Sequence, residues 1–95
     1  MKKVLITGGA GFVGRNFTKY FLELGYEVTV VDSIADLTGG IEPNKWLNFA
    51  PYDFKNFKFI KTDCRDWFKR NNITDFDYVF HLAAMVGGRE IIENS

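Results

Sequence analysis

The sequence predicts an α/β domain, in which a parallel β-sheet carries helices on both faces. Short β-branched and apolar runs alternate with amphipathic stretches along the chain, and this alternation implies parallel strands joined by right-handed crossovers. The composition is 46% hydrophobic and 17% aromatic over 95 residues, which is sufficient for one small packed core. We therefore predict a single unit, residues 1–95, with four strands in the order 3-2-1-4.

The first third of the chain contains two predicted strands and one helix. Lys2–Thr7 is a β-branched and leucine run closed by glycine, as expected for a short buried strand. From Phe12 the apolar spacing becomes that of a helix. Its predicted apolar face consists of Val13, Phe17, Tyr20, Phe21 and Leu24. Gly25 is suited to the left-handed position that ends a helix, and Tyr26–Val31 is the second strand.

The remainder begins with a long irregular segment, Ser33–Asn56, which contains both prolines. Pro43 is expected to open a short helix that runs through Phe49. Regular alternation then returns, and the predicted elements are a strand at Phe57–Thr62, a helix at Arg65–Asn72, a strand at Phe76–Ala84 and the start of a helix at Glu90–Ser95.

The stretch TGGAGFVG, Thr7 to Gly14, joins the first strand to the first helix. The first amides of a helix lack intrahelical partners, so a phosphate binds there if the backbone can approach it closely. Gly8 or Gly9 would make the turn, Gly11 would allow the close approach, and Gly14 would let helix and strand pack. Two glycine registers fit the dinucleotide fingerprint of a Rossmann-like fold: 9, 11, 14 and 8, 11, 14. The alternative is a tight turn that binds no ligand.

An acidic residue follows at the end of the second strand, where the dinucleotide fingerprint places a ribose-binding carboxylate. Asp32 lies 18 residues after Gly14. Its carboxylate would repel a 2′-phosphate, and no basic residue follows it until Lys45. The predicted cofactor is therefore NAD rather than NADP. The alternative for Asp32, in isolation, is a strand-end acid or a residue that initiates a turn.

Other classes of protein fit the sequence poorly. Gly9 and Gly14 have the spacing of an NTP-binding phosphate loop, but Arg15 and Asn16 replace its lysine and hydroxyl residue. Twelve basic residues balance twelve acidic ones, so we predict that the protein does not bind nucleic acid. No apolar run reaches the length needed to span a membrane. The single cysteine, Cys64, favours a reducing compartment. We predict a cytoplasmic protein that does not associate with membranes.

Four stretches together resemble the extended short-chain dehydrogenase/reductases, the NAD-dependent epimerases and dehydratases of nucleotide sugars. These are TGGAGFVG, VTVVDS, KTDCRD and FDYVFHLAA. The resemblance implies cofactor contacts at Gly8, Gly11, Phe12, Val13, Gly14, Asp32, Ser33, Asp63, Cys64, Leu82, Ala83 and Ala84. The loop AAMVGGRE resembles that of the GDP-fucose synthase and GDP-mannose epimerase branches. It implies that Val86, Gly87 and Gly88 line the pocket for a nucleotide-sugar substrate.

Three of the reactive side chains have a structural interpretation beside the functional one. His81 lies on an apolar strand and is predicted to be structural rather than a catalytic base. Cys64 is predicted to be a small packed side chain, because reactivity requires exposure and a lowered pKa. Asp63 is predicted to cap the following helix, a role compatible with contacting adenine. The aromatic residues of Trp46–Phe54 are predicted to form a satellite core.

The catalytic Tyr-x-x-x-Lys pair that this family uses is missing from the chain. The residues four positions after the four tyrosines are Leu24, Val30, Asn56 and Leu82. We therefore expect an incomplete Rossmann-like fold, the N-terminal NAD-binding part of an enzyme, completed by the rest of a parent chain or by a homo-oligomer. The alternatives are a non-catalytic nucleotide-binding module that acts with a partner chain, and a structural βαβ domain without ligand.

Overall fold

The computed structural model describes residues 1–34 and 40–82. Its strands and helices, in chain order, are β1 Lys3–Thr7, α1 Phe12–Glu23, β2 Glu27–Asp32, β3 Phe57–Lys61, α2 Cys64–Arg70 and β4 Tyr78–His81. The four strands are parallel and form one sheet in the order β3-β2-β1-β4. The predicted fold class and strand order are confirmed. The predicted helix at Glu90–Ser95 lies outside the described residues.

The core is divided between the two faces of the sheet, because successive side chains of a strand point to opposite faces. On one face, α1 packs against alternate residues of the central strands, among them Val4, Ile6, Val28 and Val30. On the other face, Leu5 and Val31 form a second cluster with Trp67 of α2. Apart from their first residues, Lys3 and Glu27, both central strands are buried, as expected of parallel strands covered on both sides.

The apolar face predicted for α1 is partly wrong. Phe17 and Phe21 pack against the core as predicted, but Val13, Tyr20 and Leu24 are 43%, 60% and 52% exposed. The buried positions are instead Gly14, Thr18 and Leu22. Thr18 is tolerated there because its hydroxyl donates a 2.8 Å hydrogen bond to the carbonyl oxygen of Gly14. An apolar pattern does not detect this stripe, because two of its members are glycine and threonine.

The helix predicted from Pro43 through Phe49 is also wrong, since only a 3₁₀ turn forms at Pro43–Lys45. Trp46 leaves the helical conformation, with φ −64° and ψ 138°, and its indole donates to the carbonyl oxygen of Ile41 at 2.7 Å. Asn48 then takes a left-handed φ of 68°, which no α-helix can include. The satellite aromatic core does form: Phe49 and Phe54 contact one another and the α1 side of the main core.

The last helix and strand are shorter than predicted. α2 ends at Arg70, because Asn71 is extended and Asn72 instead caps a 3₁₀ turn at Ile73–Asp75. β4 begins at Tyr78 rather than Phe76, following that turn. Within residues 1–34 and 40–82, no helix combines the length and the apolar character needed to cross a membrane.

Candidate cofactor site

The glycine turn lies between the carboxyl end of β1 and the first residue of α1. Gly8 has a φ of 75°, a conformation that favours glycine, and its N–H donates to the carbonyl oxygen of Val31 at 2.7 Å. The N–H of Gly11 in turn donates to the carbonyl oxygen of Gly8 at 3.2 Å. Of the two glycines that could have made the turn, Gly8 makes it.

Gly9 and Gly14 serve close packing around this turn. A Cβ on Gly9 would lie 2.7 Å from Cγ1 of Val30 and 3.1 Å from Cγ2 of Ile6. A Cβ on Gly14 would overlap the Cα of Gly9 and lie 2.6 Å from the carbonyl oxygen of Gly8. The turn is thus held between the sheet and α1. The closest neighbour of Gly14 is the turn itself rather than a strand, which corrects the expectation from sequence.

The N-terminus of α1 has the character of an anion site. Gly11 is the N-cap, with φ −77° and ψ 178°, and within the described residues no side chain caps it. Phe12 and Val13 open the helix with exposed side chains. The first turn contains no acidic residue. The partial positive charge of the helix end is therefore not offset by a neighbouring carboxylate of that turn.

Asp32 is the last residue of β2 and is only 6% exposed. Its Oδ2 accepts a 3.0 Å hydrogen bond from the N–H of Ala10, inside the glycine turn. Its Oδ1 accepts a 2.8 Å hydrogen bond from the N–H of Ile34, and Ser33 between them is exposed. The predicted ribose-binding acid and the predicted phosphate-binding turn are therefore in direct contact.

Asp63 follows β3 and caps α2, as predicted, by accepting a 2.8 Å hydrogen bond from the N–H of Arg65. The Arg65 side chain also donates to Asp63, at 2.9 Å between Nη2 and Oδ2. These hydrogen bonds lower the pKa of the Asp63 carboxyl from 3.8 to about 2. The next residue, Cys64, is half-buried, and burial raises the pKa of its thiol. Both features fit the predicted packed side chain.

His81 ends β4 beside Thr7, the last residue of β1. The Nδ1 of His81 and the buried hydroxyl of Thr7 share a 2.5 Å hydrogen bond, which fits the predicted structural role. The N–H of Leu82 donates to the carbonyl oxygen of Thr7 at 2.8 Å and extends the pairing beyond β4. Five further predicted site residues lie outside the described residues: Ala83, Ala84, Val86, Gly87 and Gly88.

The described site residues thus lie at one edge of the sheet, where all four parallel strands end. Residues 4–93 match the NAD dependent epimerase/dehydratase family. The chain belongs to this family. The predicted cofactor, NAD, is the cofactor on which the family depends.

Similar proteins of the NAD-dependent epimerase/dehydratase family include the CDP-paratose 2-epimerase of Salmonella typhi, which is 33% identical over 97% of this chain and 27% of its own length. Among solved structures, the dTDP-glucose 4,6-dehydratase of Bacillus anthracis in complex with NAD is 26% identical, with a TM-score of 0.67 over 87% of this chain and 27% of that one. The UDP-glucuronic acid 4-epimerase of Bacillus cereus in complex with NAD has a TM-score of 0.63 at 26% identity, over 84% of this chain and 26% of that one. The chain therefore spans less than a third of the length of these relatives.

The residues at this edge fit the adenosine and pyrophosphate half of the family cofactor. The turn is compact because Gly9 and Gly14 have no Cβ and their neighbours leave no space for one. Next to it lies the N-terminus of α1, which no side chain caps within the described residues. A carboxylate stands beside it on β2. This combination of donors and acceptor suits a phosphate next to a diol.

Sequence reasoning missed two neighbours of Asp32. Ala10 contacts it through the backbone, which residue type cannot reveal. Lys61 is its register partner on β3, so both side chains leave the sheet on the same face. The Lys61 ammonium lies 3.8 Å from a carboxylate oxygen of Glu42. The predicted strand ends, Val31 and Thr62, imply a different register from the observed pairing of Asp32 with Lys61, so sequence alone could not identify this lysine.

An open groove of about 460 Å³ lies beside α1. It is formed by the N-terminal half of α1 and the segment that follows Gly40. Phe12 is the one predicted cofactor residue in its lining. The other predicted cofactor residues within the described part of the chain do not line this groove.

Replacing Asp63 by alanine should lower the free energy of unfolding by about 1 kcal/mol at pH 7, the usual cost of losing an N-cap. The folded-state pKa lies below the ordinary value of 3.8, so the stabilisation is present above that value and is lost as the pH falls towards about 2. Urea unfolding of both proteins between pH 7 and pH 2.5 measures the difference, which should shrink below about pH 4. Asp63→Asn keeps a capping acceptor and is the control; a constant difference for Asp63→Ala across this range would contradict the assignment.

Proposed function

We propose that this chain, residues 1–95, is the NAD-binding part of a nucleotide-sugar epimerase or dehydratase. The observation that supports this most strongly is the contact between the Asp32 carboxylate and the Ala10 amide. This contact supports the proposal because a carboxylate that can accept hydrogen bonds from ribose hydroxyls lies against the turn before α1, in a chain of a family that depends on NAD.

Each part of the site has a proposed partner in the cofactor. The amides of Phe12 and Val13, at the start of α1, hold the pyrophosphate, and Gly11 leaves space for it. Asp32, with Ser33, accepts hydrogen bonds from the ribose hydroxyls. The residues after β3 and β4 flank the adenine and the rest of the dinucleotide; these are Asp63, Cys64, Leu82, Ala83 and Ala84.

Bound NAD supplies a reversible hydride acceptor for a carbon of the sugar. The residues of this chain bind and orient that acceptor. Val86, Gly87 and Gly88 are proposed to line the adjoining pocket for the nucleotide sugar. Because the family's Tyr-x-x-x-Lys pair is absent from these 95 residues, the expected readout for this chain is binding rather than turnover.

The Asp32 carboxylate should also disfavour NADP, whose 2′-phosphate would meet a buried negative charge. Lys61 shares the face of Asp32, but its ammonium is paired with Glu42. The selectivity expected is therefore for NAD.

Calorimetric titration with NAD tests the proposal, and Gly11→Val is the decisive variant. Valine adopts the φ of −77° at this position without strain, and its poorer N-capping should cost only about 1 kcal/mol, so the variant should still fold. Its side chain would fill the space of the pyrophosphate and should weaken NAD binding by at least about 100-fold, or about 2.7 kcal/mol.

Two outcomes would contradict this proposal. The first is a wild-type chain that shows no saturable NAD binding. The second is a folded Gly11→Val variant with wild-type affinity, which would place the dinucleotide elsewhere.

A further inference from the structure

Asp32 is more buried, and makes more hydrogen bonds within the protein, than binding a ribose alone would require. It is 6% exposed, and both of its carboxylate oxygens already accept backbone hydrogen bonds. A carboxylate has about four lone-pair positions, so two remain for a ligand after the amides of Ala10 and Ile34 are satisfied.

The amide on one side belongs to the centre of the glycine turn. Ala10 is fully buried, and besides its N–H to Asp32 its carbonyl oxygen accepts from the N–H of Ile41 at 3.1 Å and from Nη1 of Arg15 at 2.9 Å. Ala10 lies between Gly9 and Gly11, and because glycine allows many backbone conformations, the turn needs further contacts to fix its geometry. The charged hydrogen bond from Asp32 is one of the contacts that select a single conformation.

The amide on the other side belongs to a residue with an unfavourable backbone. Ile34 has a φ of 58°, a left-handed conformation that β-branched residues rarely adopt. Such a conformation persists where surrounding contacts hold it, and the 2.8 Å hydrogen bond to Oδ1 of Asp32 is such a contact. One carboxylate therefore ties together the phosphate turn and the segment that leaves β2.

We propose that Asp32 is a positioning residue for the glycine turn, so that recognition of the ribose and of the pyrophosphate are coupled through its carboxylate. This inference rests on the proposed function. Loss of the negative charge leaves the buried Ala10 amide with a weaker or absent acceptor, and the turn then loses its fixed geometry. Pyrophosphate binding should fall even for a ligand that has no ribose hydroxyls.

The test compares ADP with 2′,3′-dideoxy-ADP on the wild-type protein and on Asp32→Asn, by calorimetry. Asp32→Asn should bind the dideoxy ligand about tenfold more weakly than wild type does, because a charge-assisted hydrogen bond to the turn is lost. The loss for ADP should be larger, since the hydroxyl contacts go as well. Asp75→Asn makes the same chemical change at an exposed residue before β4 and should leave both affinities unchanged.

Amide hydrogen exchange separates this positioning role from general destabilisation. In Asp32→Asn, exchange at Ala10 should accelerate, whereas exchange at Leu5 in the centre of β1 should not. A second measurement needs no variant: inorganic pyrophosphate bound to the wild-type protein should slow exchange at Ile34, on the far side of the carboxylate.

The proposal is overturned if Asp32→Asn binds 2′,3′-dideoxy-ADP like wild type while losing affinity for ADP, since Asp32 would then contact only the hydroxyls. It is also overturned if pyrophosphate protects residues 8–14 and not Ile34. Failure of the proposed function looks different, because the wild-type protein would then bind neither ADP nor NAD.

Discussion

Gly14→Ala is expected to destabilise the protein by about 3 kcal/mol, in the upper part of the usual range for overpacked sites, and to abolish NAD binding. The new methyl group would overlap the Cα of Gly9 and approach the carbonyl oxygen of Gly8 to 2.6 Å. These are backbone atoms, so no side chain can rotate to make space. α1 would have to move away from the glycine turn, and its first amides would move with it. Urea unfolding and NAD titration measure the two effects.

Gly25→Ala is the matched control for that variant. Gly25 has a φ of 87°, and a Cβ there would meet nothing within 4 Å. The substitution should cost about 1–2 kcal/mol through backbone strain alone, and NAD affinity should stay at the wild-type value. If Gly14→Ala behaved like Gly25→Ala in both measurements, the close packing described for the turn would be wrong.

Trp67→Ala is the second large effect, an expected loss of about 3–5 kcal/mol in the free energy of unfolding. Trp67 is 8% exposed and is the buried residue of α2. It packs with Leu5 and Val31, and its ring lies 5.6 Å from that of Phe68. Since a small domain has about 5–15 kcal/mol of stability in total, this variant should lie near the limit of folding.

Circular dichroism during urea unfolding measures the loss for Trp67→Ala. Leu47→Ala is its control, because Leu47 is 86% exposed and its truncation should change stability by less than about 0.5 kcal/mol. A small effect of Trp67→Ala would mean that α2 contributes little to holding that face of the sheet.

The strands and their order could be predicted from sequence because each depends on a local pattern. β1 and β2 are rich in β-branched residues, β1 ends just before Gly8 and β2 ends at Asp32, and the alternation of strands with helices predicts that the strands are parallel. The α1 face could not be predicted in full. Its buried stripe includes Gly14, which allows close packing against the glycine turn, and Thr18, whose hydroxyl hydrogen-bonds to the backbone. Neither residue contributes to an apolar pattern.

The site residues that could be predicted are those whose side-chain type determines their role. Residues whose role depends on backbone position or strand register could not be predicted. Asp32 is an acid in the expected place, and the structure adds that it is buried against the turn. The choice between Gly8 and Gly9 for the turn depended on a φ angle. Ala10 acts through its peptide group, and Lys61 through strand register, so neither leaves a signal in composition or spacing.

The central place of β1 has a consequence for how the chain folds. β1 pairs with β4, which lies far from it in the chain, and contacts such as the one between Thr7 and His81 join residues 74 positions apart. Proteins dominated by pairings between distant residues fold slowly, because the ends of a long loop must meet before the contact stabilises anything. During translation the backbone groups of β1 that pair with β4 therefore stay unpaired until Tyr78–His81 has left the ribosome. The nascent chain is open to wrong pairing with other chains for that whole interval.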